Sequence, residues 1–224
     1  MKNSKFTRLL GPLAVLVLFA IAASADTGAK TNSVTPETAL AKLVEGNKRF
    51  VSGNPGRNTP TAQQWAELAK GQHPFAIILT CADSRLSPEI IFDQGLGELF
   101  VIRNAGNLAD DHVLGSIEYA VEHLGASLIV VLGHTKCGAV TAAASGGEAP
   151  GHIKSIVESL SGAVTLAKKK PGDTIDNAIR ISSKLTVADI SKAEPILSEA
   201  VKSAKVKVVA AKYDIATGAV EFLQ

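Results

Sequence analysis

Two short segments of the sequence contain residue types that bind metals. They are CADSR at 81–85 and GHTKCG at 133–138. Two thiolates and one imidazole, here from Cys81, Cys137 and His134, are a ligand set that zinc favours, and three protein ligands leave the fourth tetrahedral position for water. Bound zinc lowers the pKa of that water to about 7, so that a hydroxide nucleophile exists near neutral pH. The two segments therefore indicate a catalytic zinc site.

Two other arrangements of the same residues are compatible with the spacing. Cys81 and Cys137 could form a structural disulfide, since disulfides persist in exported proteins and sequence spacing does not exclude one. Alternatively, Asp83 could supply a fourth ligand, which would make the zinc site structural rather than catalytic.

Asp83 and Arg85 stand two residues apart, immediately after the first cysteine. A guanidinium in that position holds a carboxylate ionised and oriented, and the carboxylate can then accept a proton from zinc-bound water. The alternative interpretation is an ordinary surface ion pair, which contributes little stability. Beside a candidate metal ligand we favour the functional interpretation.

The elements that must position these residues alternate between strands and helices. Four apolar runs have the β-branched composition of doubly buried parallel strands, at 75–80, 98–103, 127–132 and 206–210. A helix is predicted over 112–124 from its apolar spacing, with Gly125 as its stop. Such alternation predicts an α/β domain with a mainly parallel sheet flanked by helices. CADSR and GHTKCG then follow the first and third strands, at the edge where open parallel sheets bind ligands.

The two ends of the predicted domain complete this fold. The run 218–223 follows a Thr-Gly turn and is predicted as an antiparallel edge strand paired with the strand before it. Ahead of the sheet, one helix is predicted from Thr35-Pro36 to Val51 and a second over 61–70. These N-terminal helices are candidates for packing on a dimer partner.

The first 25 residues have the pattern of a signal peptide. Basic residues precede an apolar run, and small residues follow at 23–25. A retained membrane anchor is the alternative, but the run is interrupted by Gly11-Pro12 and is short for a bilayer span. We expect cleavage after Ala25, a single domain over 26–224 with no stable membrane span, and a periplasmic or secreted location. A net charge of only +2 does not suggest a nucleic-acid partner.

The sequence resembles the β-carbonic anhydrases over essentially the whole of 26–224. The resemblance is carried by five ordered segments, which are CADSR, FVIRNAGN, GSIEYAVEHLG, GHTKCGA and KYDIATGAVEFL. It implies one zinc ion per chain held by Cys81, His134 and Cys137, with Asp83 and Arg85 as an aspartate–arginine dyad. It also implies reversible hydration of CO2 to bicarbonate and a proton by zinc-bound hydroxide, in a homodimer or higher homo-oligomer with each site close to the dimer interface.

Two further site residues are implied by the resemblance. Gln72 is similar to the glutamine that plant-type members use near the substrate, and the N–H group of Gly138 is similar to an anion contact. Ile78 and Thr80 depart from the tryptophan and glycine of the bicarbonate-inhibited subgroup, so that form of regulation is not expected here. Four histidines other than His134 are open candidates for proton transfer, and the sequence does not choose among them.

Two other functions remain compatible with the sequence. The same zinc site could hydrolyse CS2 or COS in a relative of the family. More distantly, the chain could be a non-catalytic zinc or redox protein.

Overall fold

A five-stranded sheet organises the residues that the computed structural model describes, which are 34–56, 59–146 and 148–224. Its strands, in chain order, are β1 (Ala76–Cys81), β2 (Leu99–Asn104), β3 (Leu128–His134), β4 (Lys207–Tyr213) and β5 (Val220–Leu223). They are ordered β2-β1-β3-β4-β5, with β1 to β4 parallel and β5 antiparallel to β4. The predicted fold class is confirmed, although β3 and β4 extend beyond the predicted runs.

Eight helices accompany the sheet within the described residues. They are α1 (Pro36–Val51), α2 (Ala62–Leu68), α3 (Pro88–Ile91), α4 (Asp111–Glu122), α5 (Gly138–Ser145), α6 (Ile153–Ala167), α7 (Thr174–Lys192) and α8 (Ile196–Lys202). The predicted starts of α1 and α2 are confirmed by their caps, because the hydroxyls of Thr35 and Thr61 accept hydrogen bonds from the first turns. No helix of the described part of the chain has the length and apolarity to cross a membrane.

The central strands are buried on both faces. Every residue of β1 and β3 is buried, as a continuous apolar run predicts for a parallel sheet covered on both sides. Ile78 packs with residues of α1, α5 and α6, whereas Ile77 and Leu79 pack with residues of α4 and α8. This alternation follows from the two-residue period of a strand, and it fixes the register that positions the strand ends.

The strand order reverses between β1 and β3. From β1 the chain crosses to β2 on one side, whereas β3 and β4 lie on the other side. Loops that leave adjacent strands on opposite sides of the sheet open a crevice at their carboxyl ends. CADSR and GHTKCG begin at this crevice.

Helix α1 packs closely on its own chain. Ala39 and Leu43 are fully buried in the core. The Asn47 side chain donates to the carbonyls of Ile91 and Gly218 at 3.0 and 2.9 Å and accepts from the Val220 N–H at 2.9 Å. This amide therefore joins α1 to α3 and to the C-terminal hairpin.

Helix α2 differs from α1 because none of its residues is buried. Its Trp65 is 52% exposed. Of the two predicted N-terminal helices, α2 thus leaves its surface open, whereas much of the apolar surface of α1 is covered within the chain. Packing of these helices on a dimer partner stays a prediction.

We predict that alanine has opposite effects at two helical glycines. A Cβ at Gly46 in α1 would lie 1.8 Å from the Phe92 carbonyl oxygen, so Gly46→Ala should separate α1 from α3 and destabilise the fold by about 3 kcal/mol. A Cβ at exposed Gly115 in α4 meets nothing within 4 Å, so Gly115→Ala should stabilise by about 1 kcal/mol. Urea denaturation measures both, and a Gly46→Ala variant as stable as the parent protein would contradict the packing of α1 on α3.

Candidate metal centre

Three side chains from the two predicted segments meet at the carboxyl ends of β1 and β3. The sulfur atoms of Cys81 and Cys137 and a ring nitrogen of His134 all lie within 4.8 Å of one another. The three residues are 5%, 1% and 0% exposed, respectively. Both cysteines are free thiols, so the alternative disulfide is absent from this structure. The sequence-predicted ligands are therefore brought together.

The imidazole of His134 has one nitrogen satisfied and one free. Nδ1 lies 3.0 Å from the Thr135 carbonyl oxygen, to which it donates in the tautomer that leaves Nε2 as an acceptor. Nε2 is buried and has no hydrogen-bond partner. A buried polar atom without a partner is costly in a folded protein. A metal ion at Nε2 would remove that cost, and hydrogen bonding of the other ring nitrogen is the usual arrangement for a ligating histidine.

The two thiols lie close together near the N-terminus of α5. Interaction between the two sulfurs lowers the pKa of Cys81 and raises that of Cys137, because a proton kept on Cys137 stabilises a thiolate at Cys81; burial raises the pKa of Cys137 as well. The N–H groups of Ala139 and Val140, in the first turn of α5, lie near the Cys137 sulfur and favour its thiolate. The Gly106 N–H lies 3.5 Å from the Cys81 sulfur. These donors favour thiolates, and a soft cation suits two thiolates and an imidazole. The residues therefore fit a zinc ion.

Asp83 is held at the edge of this cluster by Arg85. Arg85 Nε and Nη2 donate to the two carboxylate oxygens at 2.8 and 2.6 Å. This bidentate bond holds the pKa of the Asp83 carboxyl well below its usual range. Asp83 Oδ2 lies 4.0 Å from His134 Nε2. The carboxylate is thus next to the ligand cluster but paired with arginine, which differs from the arrangement expected of a fourth ligand.

The backbone between β3 and α5 turns sharply, which brings His134 and Cys137 close together. Lys136, between them, has a φ of 58°, in the left-handed region. Gly133 precedes His134, and a Cβ there would lie 2.6 Å from Ser183 Oγ on α7. The close approach of α7 therefore favours glycine at the end of β3. The reversal at Lys136 then starts α5 at Gly138, so that both ligands face Cys81.

Gly138 lies beside the cluster, whereas Gln72 does not. Gly138 is exposed, is the first residue of α5 and follows Cys137 directly, so its N–H group is available to an anion at the helix N-terminus. Gln72 is exposed and precedes β1, whereas Cys81 ends it. At about 3.3 Å per residue, the strand carries these two residues far apart. Within one chain, Gln72 is not brought to the cluster.

A large cavity lies near Gln72, not at the cluster. It has a volume of about 880 Å³ and is lined by residues of α1, α2 and the segments before β1 and β2, including Leu68, Gly71, His73 and Gly97. These residues lie at the edge of the sheet where β1 and β2 begin. The cavity is therefore not the metal centre of the same chain.

The histidines other than His134 are surface residues. His73, His112, His123 and His152 are all exposed. The His123 ring packs against Tyr119, with the ring centroids 5.1 Å apart. The structure does not select a proton-transfer histidine from this set.

Sequence reasoning missed two contacts to the loop that carries Cys81 and Asp83. Arg103 Nη2 donates to the Asp83 carbonyl oxygen at 2.6 Å, and the Gly106 N–H approaches the Cys81 sulfur. Both residues belong to the segment FVIRNAGN, whose similarity to the family was apparent. The pairing of β1 with β2, which brings this segment to the site, was not predicted.

Comparison with known proteins gives one consistent result. A family model described as carbonic anhydrase matches residues 76–220. Carbonic anhydrase 2 of Mycobacterium tuberculosis is 41% identical over 190 residues, which cover 83% of this chain and 92% of that protein. A carbonic anhydrase of Mycolicibacterium smegmatis is 40% identical over the same length, with the same coverage.

Solved structures show the same similarity. The β-carbonic anhydrase of Coccomyxa, in complex with acetazolamide, is 27% identical with a TM-score of 0.65, over 82% of this chain and 86% of that one. One of two tetrameric β-carbonic anhydrases of Sordaria macrospora is 27% identical with a TM-score of 0.64, over 82% of this chain and 96% of that one.

We predict that each of the three clustered side chains is needed to retain a divalent metal. Cys81→Ser, His134→Ala and Cys137→Ser should each weaken metal binding on the order of a hundredfold or more, since even residues that only support a ligand contribute ten- to a hundredfold. Metal content per chain, measured after native purification, tests this. His123→Ala removes an exposed imidazole and should keep its metal. Full metal content in any of the three variants would exclude that residue as a ligand.

Proposed function

We propose, since this chain belongs to the β-carbonic anhydrase family, that it is a zinc enzyme which converts CO2 and water reversibly into bicarbonate and a proton. The observation that carries the proposal is the buried cluster of Cys81, His134 and Cys137 beside an aspartate that arginine holds in place. Three ligands and an adjacent carboxylate suit a catalytic metal site, in which one coordination position stays open.

Each residue of the site has a role in this proposal. Cys81, Cys137 and Nε2 of His134 would hold one zinc ion, which when bound supplies a water of pKa near 7. Asp83, kept ionised by Arg85, accepts a hydrogen bond from that nucleophile and so orients it. The Gly138 N–H group, at the N-terminus of α5, binds an oxygen of the anionic product.

The position of Gln72 supports a proposal about assembly. If this glutamine acts near the substrate, as the family resemblance implies, it must reach the site of a second copy, because it lies at the opposite end of β1 from Cys81. We therefore propose a homodimer as the smallest active unit. The exposed surface of α2 is available for such an assembly.

The proposed location depends on residues 1–25, which lie outside the described part of the chain. We propose that they are a cleaved signal peptide, that 26–224 forms one domain, and that the enzyme acts in the periplasm or outside the cell. The basis is the sequence pattern of a basic segment, an apolar run and small residues. Mass spectrometry of the protein recovered from a periplasmic extract tests this, because an N-terminus before residue 20 would contradict cleavage at the expected position.

We predict that Asp83→Asn keeps zinc but loses rate. The three ligands remain, whereas loss of the charge-assisted pair with Arg85 corresponds to a drop in kcat of about ten- to a hundredfold. Zinc content and CO2 hydration are measured on one preparation. CS2 and COS are tested as alternative substrates in separate assays. Asp111→Asn, at an exposed carboxylate in the first turn of α4, is the matched control and should keep full activity.

The same preparation separates the alternative functions. Unimpaired hydration in Asp83→Asn would remove Asp83 from the mechanism. Loss of zinc in this variant, together with no hydration by the parent protein, would instead support a structural zinc site closed by Asp83. Turnover of CS2 or COS without CO2 hydration would identify the related hydrolase activity.

We predict that Gln72→Ala and Cys81→Ser complement each other in mixed dimers. Gln72→Ala alone should lower the rate about tenfold through the loss of a substrate contact. In a mixed dimer, the Gln72→Ala subunit keeps its metal ligands and receives Gln72 from the Cys81→Ser subunit, so one site is intact. Co-expression with two affinity tags isolates this species. Its activity should equal that of a dimer of Cys81→Ser with the unmodified chain, which also has one intact site. If its activity is only that of a single site lacking Gln72, then Gln72 acts in the site of its own subunit.

A further inference from the structure

Arg103 lies near the end of β2, and its side chain leaves the strand toward the turn after β1. Its Nε donates to the Cys81 carbonyl oxygen at 3.2 Å, and its Nη2 donates to the Asp83 carbonyl oxygen at 2.6 Å. One guanidinium therefore contacts the main chain of a metal-ligand candidate and of the dyad aspartate. The planar fork of arginine suits this double contact, because it presents several donors in fixed directions.

The main chain of β2 does not make these contacts. Strand pairing between β1 and β2 ends at Cys81 and Asn104, and the Ala82 N–H donates to the Asn104 carbonyl oxygen at 3.0 Å. Beyond that point the chain turns at Gly106, whose φ is 84° and whose N–H is directed to the Cys81 sulfur. The guanidinium of Arg103 thus extends the attachment of the turn to β2 past the last paired residues.

Two arginines consequently hold Asp83 from two sides. Arg85 binds the carboxylate through both oxygens, whereas Arg103 binds the carbonyl of the same residue. The carbonyl also accepts from the Leu86 N–H at 3.1 Å. Fixing the Asp83 carbonyl restrains the backbone torsions that decide where its carboxylate points. A small movement matters, because Asp83 Oδ2 is 4.0 Å from His134 Nε2.

We propose that Arg103 is a positioning residue that keeps the Asp83 carboxylate paired with Arg85 and away from the open position of the metal site. The proposal rests on the proposed function of that site. Without Arg103, the Asp83 carbonyl loses its contact with β2, although the Ala82 N–H stays bonded to Asn104, and the carboxylate is freer to move toward the metal ligands. The metal would then be retained, but the position needed by water would be occupied.

The experiment compares Arg103→Met with Arg103→Met combined with Asp83→Asn, both loaded with Co²⁺ in place of zinc. The readout is the change in the visible cobalt spectrum on addition of thiocyanate, an anion that needs an open coordination position. We expect the parent protein to respond, Arg103→Met to lose most of the response, and the double variant to regain it, because it lacks the carboxylate that closes the site. CO2 hydration by the zinc form of Arg103→Met should fall about tenfold, with kcat affected more than KM.

Two controls keep the result specific. Arg180→Met removes another arginine that makes a bidentate contact, here with Glu221. Glu221 lies on β5, in the C-terminal hairpin, and is not part of the site. The Arg180→Met variant should keep both the thiocyanate response and the rate. Arg103→Lys retains a cation that can reach one carbonyl, and it should recover part of the response and of kcat. It also serves as the test variant if Arg103→Met does not fold.

The outcomes separate the proposal from its alternatives. A full thiocyanate response in Arg103→Met would overturn the proposal, and so would a double variant that still fails to respond, since that would indicate general disruption of the site. Absence of CO2 hydration in the parent protein would contradict the proposed function alone. The cobalt spectra would still decide the role of Arg103, because they do not depend on turnover.

Discussion

The parallel pairing of β1 with β3 is the interaction on which the metal centre depends. The two strands pair from Ala76 and Leu128 through Thr80 and Leu132, so the residues that follow, Cys81 and the Gly133-His134 pair, emerge side by side. The register is set by apolar side chains buried on both faces of the sheet. A slip of one residue would turn every side chain of a strand to the opposite face. The hydrophobic core therefore fixes the positions of the metal-binding groups, although it contains little of the chemistry.

Charged and polar groups at the carboxyl ends of β1 and β3 surround the buried cluster of two sulfur atoms and one imidazole. Two thiolates buried beside an imidazole would be unfavourable unless hydrogen-bond donors or cations stabilised their charge. The N–H groups in the first turn of α5 stabilise negative charge on the Cys137 sulfur, and the Gly106 N–H stabilises negative charge on the Cys81 sulfur. On the Asp83 side of the cluster, Arg85 donates to the Asp83 carboxylate and Arg103 donates to the Asp83 carbonyl oxygen. A cation bound at the cluster would complete this balance of charge.

One chain brings together three candidate metal ligands but does not bring Gln72, which the family resemblance associates with the substrate, to the same place. The ligand cluster and the dyad occupy the carboxyl edge of the sheet, whereas Gln72 and the cavity of about 880 Å³ occupy the amino edge. The length of β1 separates the two. In the proposed homodimer, a second chain would place its amino edge beside the first chain's cluster, which the first chain's own amino edge does not reach.

The sequence by itself determined the ligand types, the alternation of strands and helices, and the family. Thiol, imidazole and carboxylate chemistry is a property of residue type, and the period of apolar residues in β1, β3 and α4 is local, so both can be predicted without coordinates. Only the tertiary structure decided that β1 and β3 are neighbours, that Asp83 is paired with Arg85 near His134 Nε2, and that Arg103 on β2 holds the same turn. These contacts join residues far apart in the chain, and their geometry follows from the packing of both faces of the sheet, which no local pattern specifies. The close approach of α7 to Gly133 was beyond local prediction for the same reason.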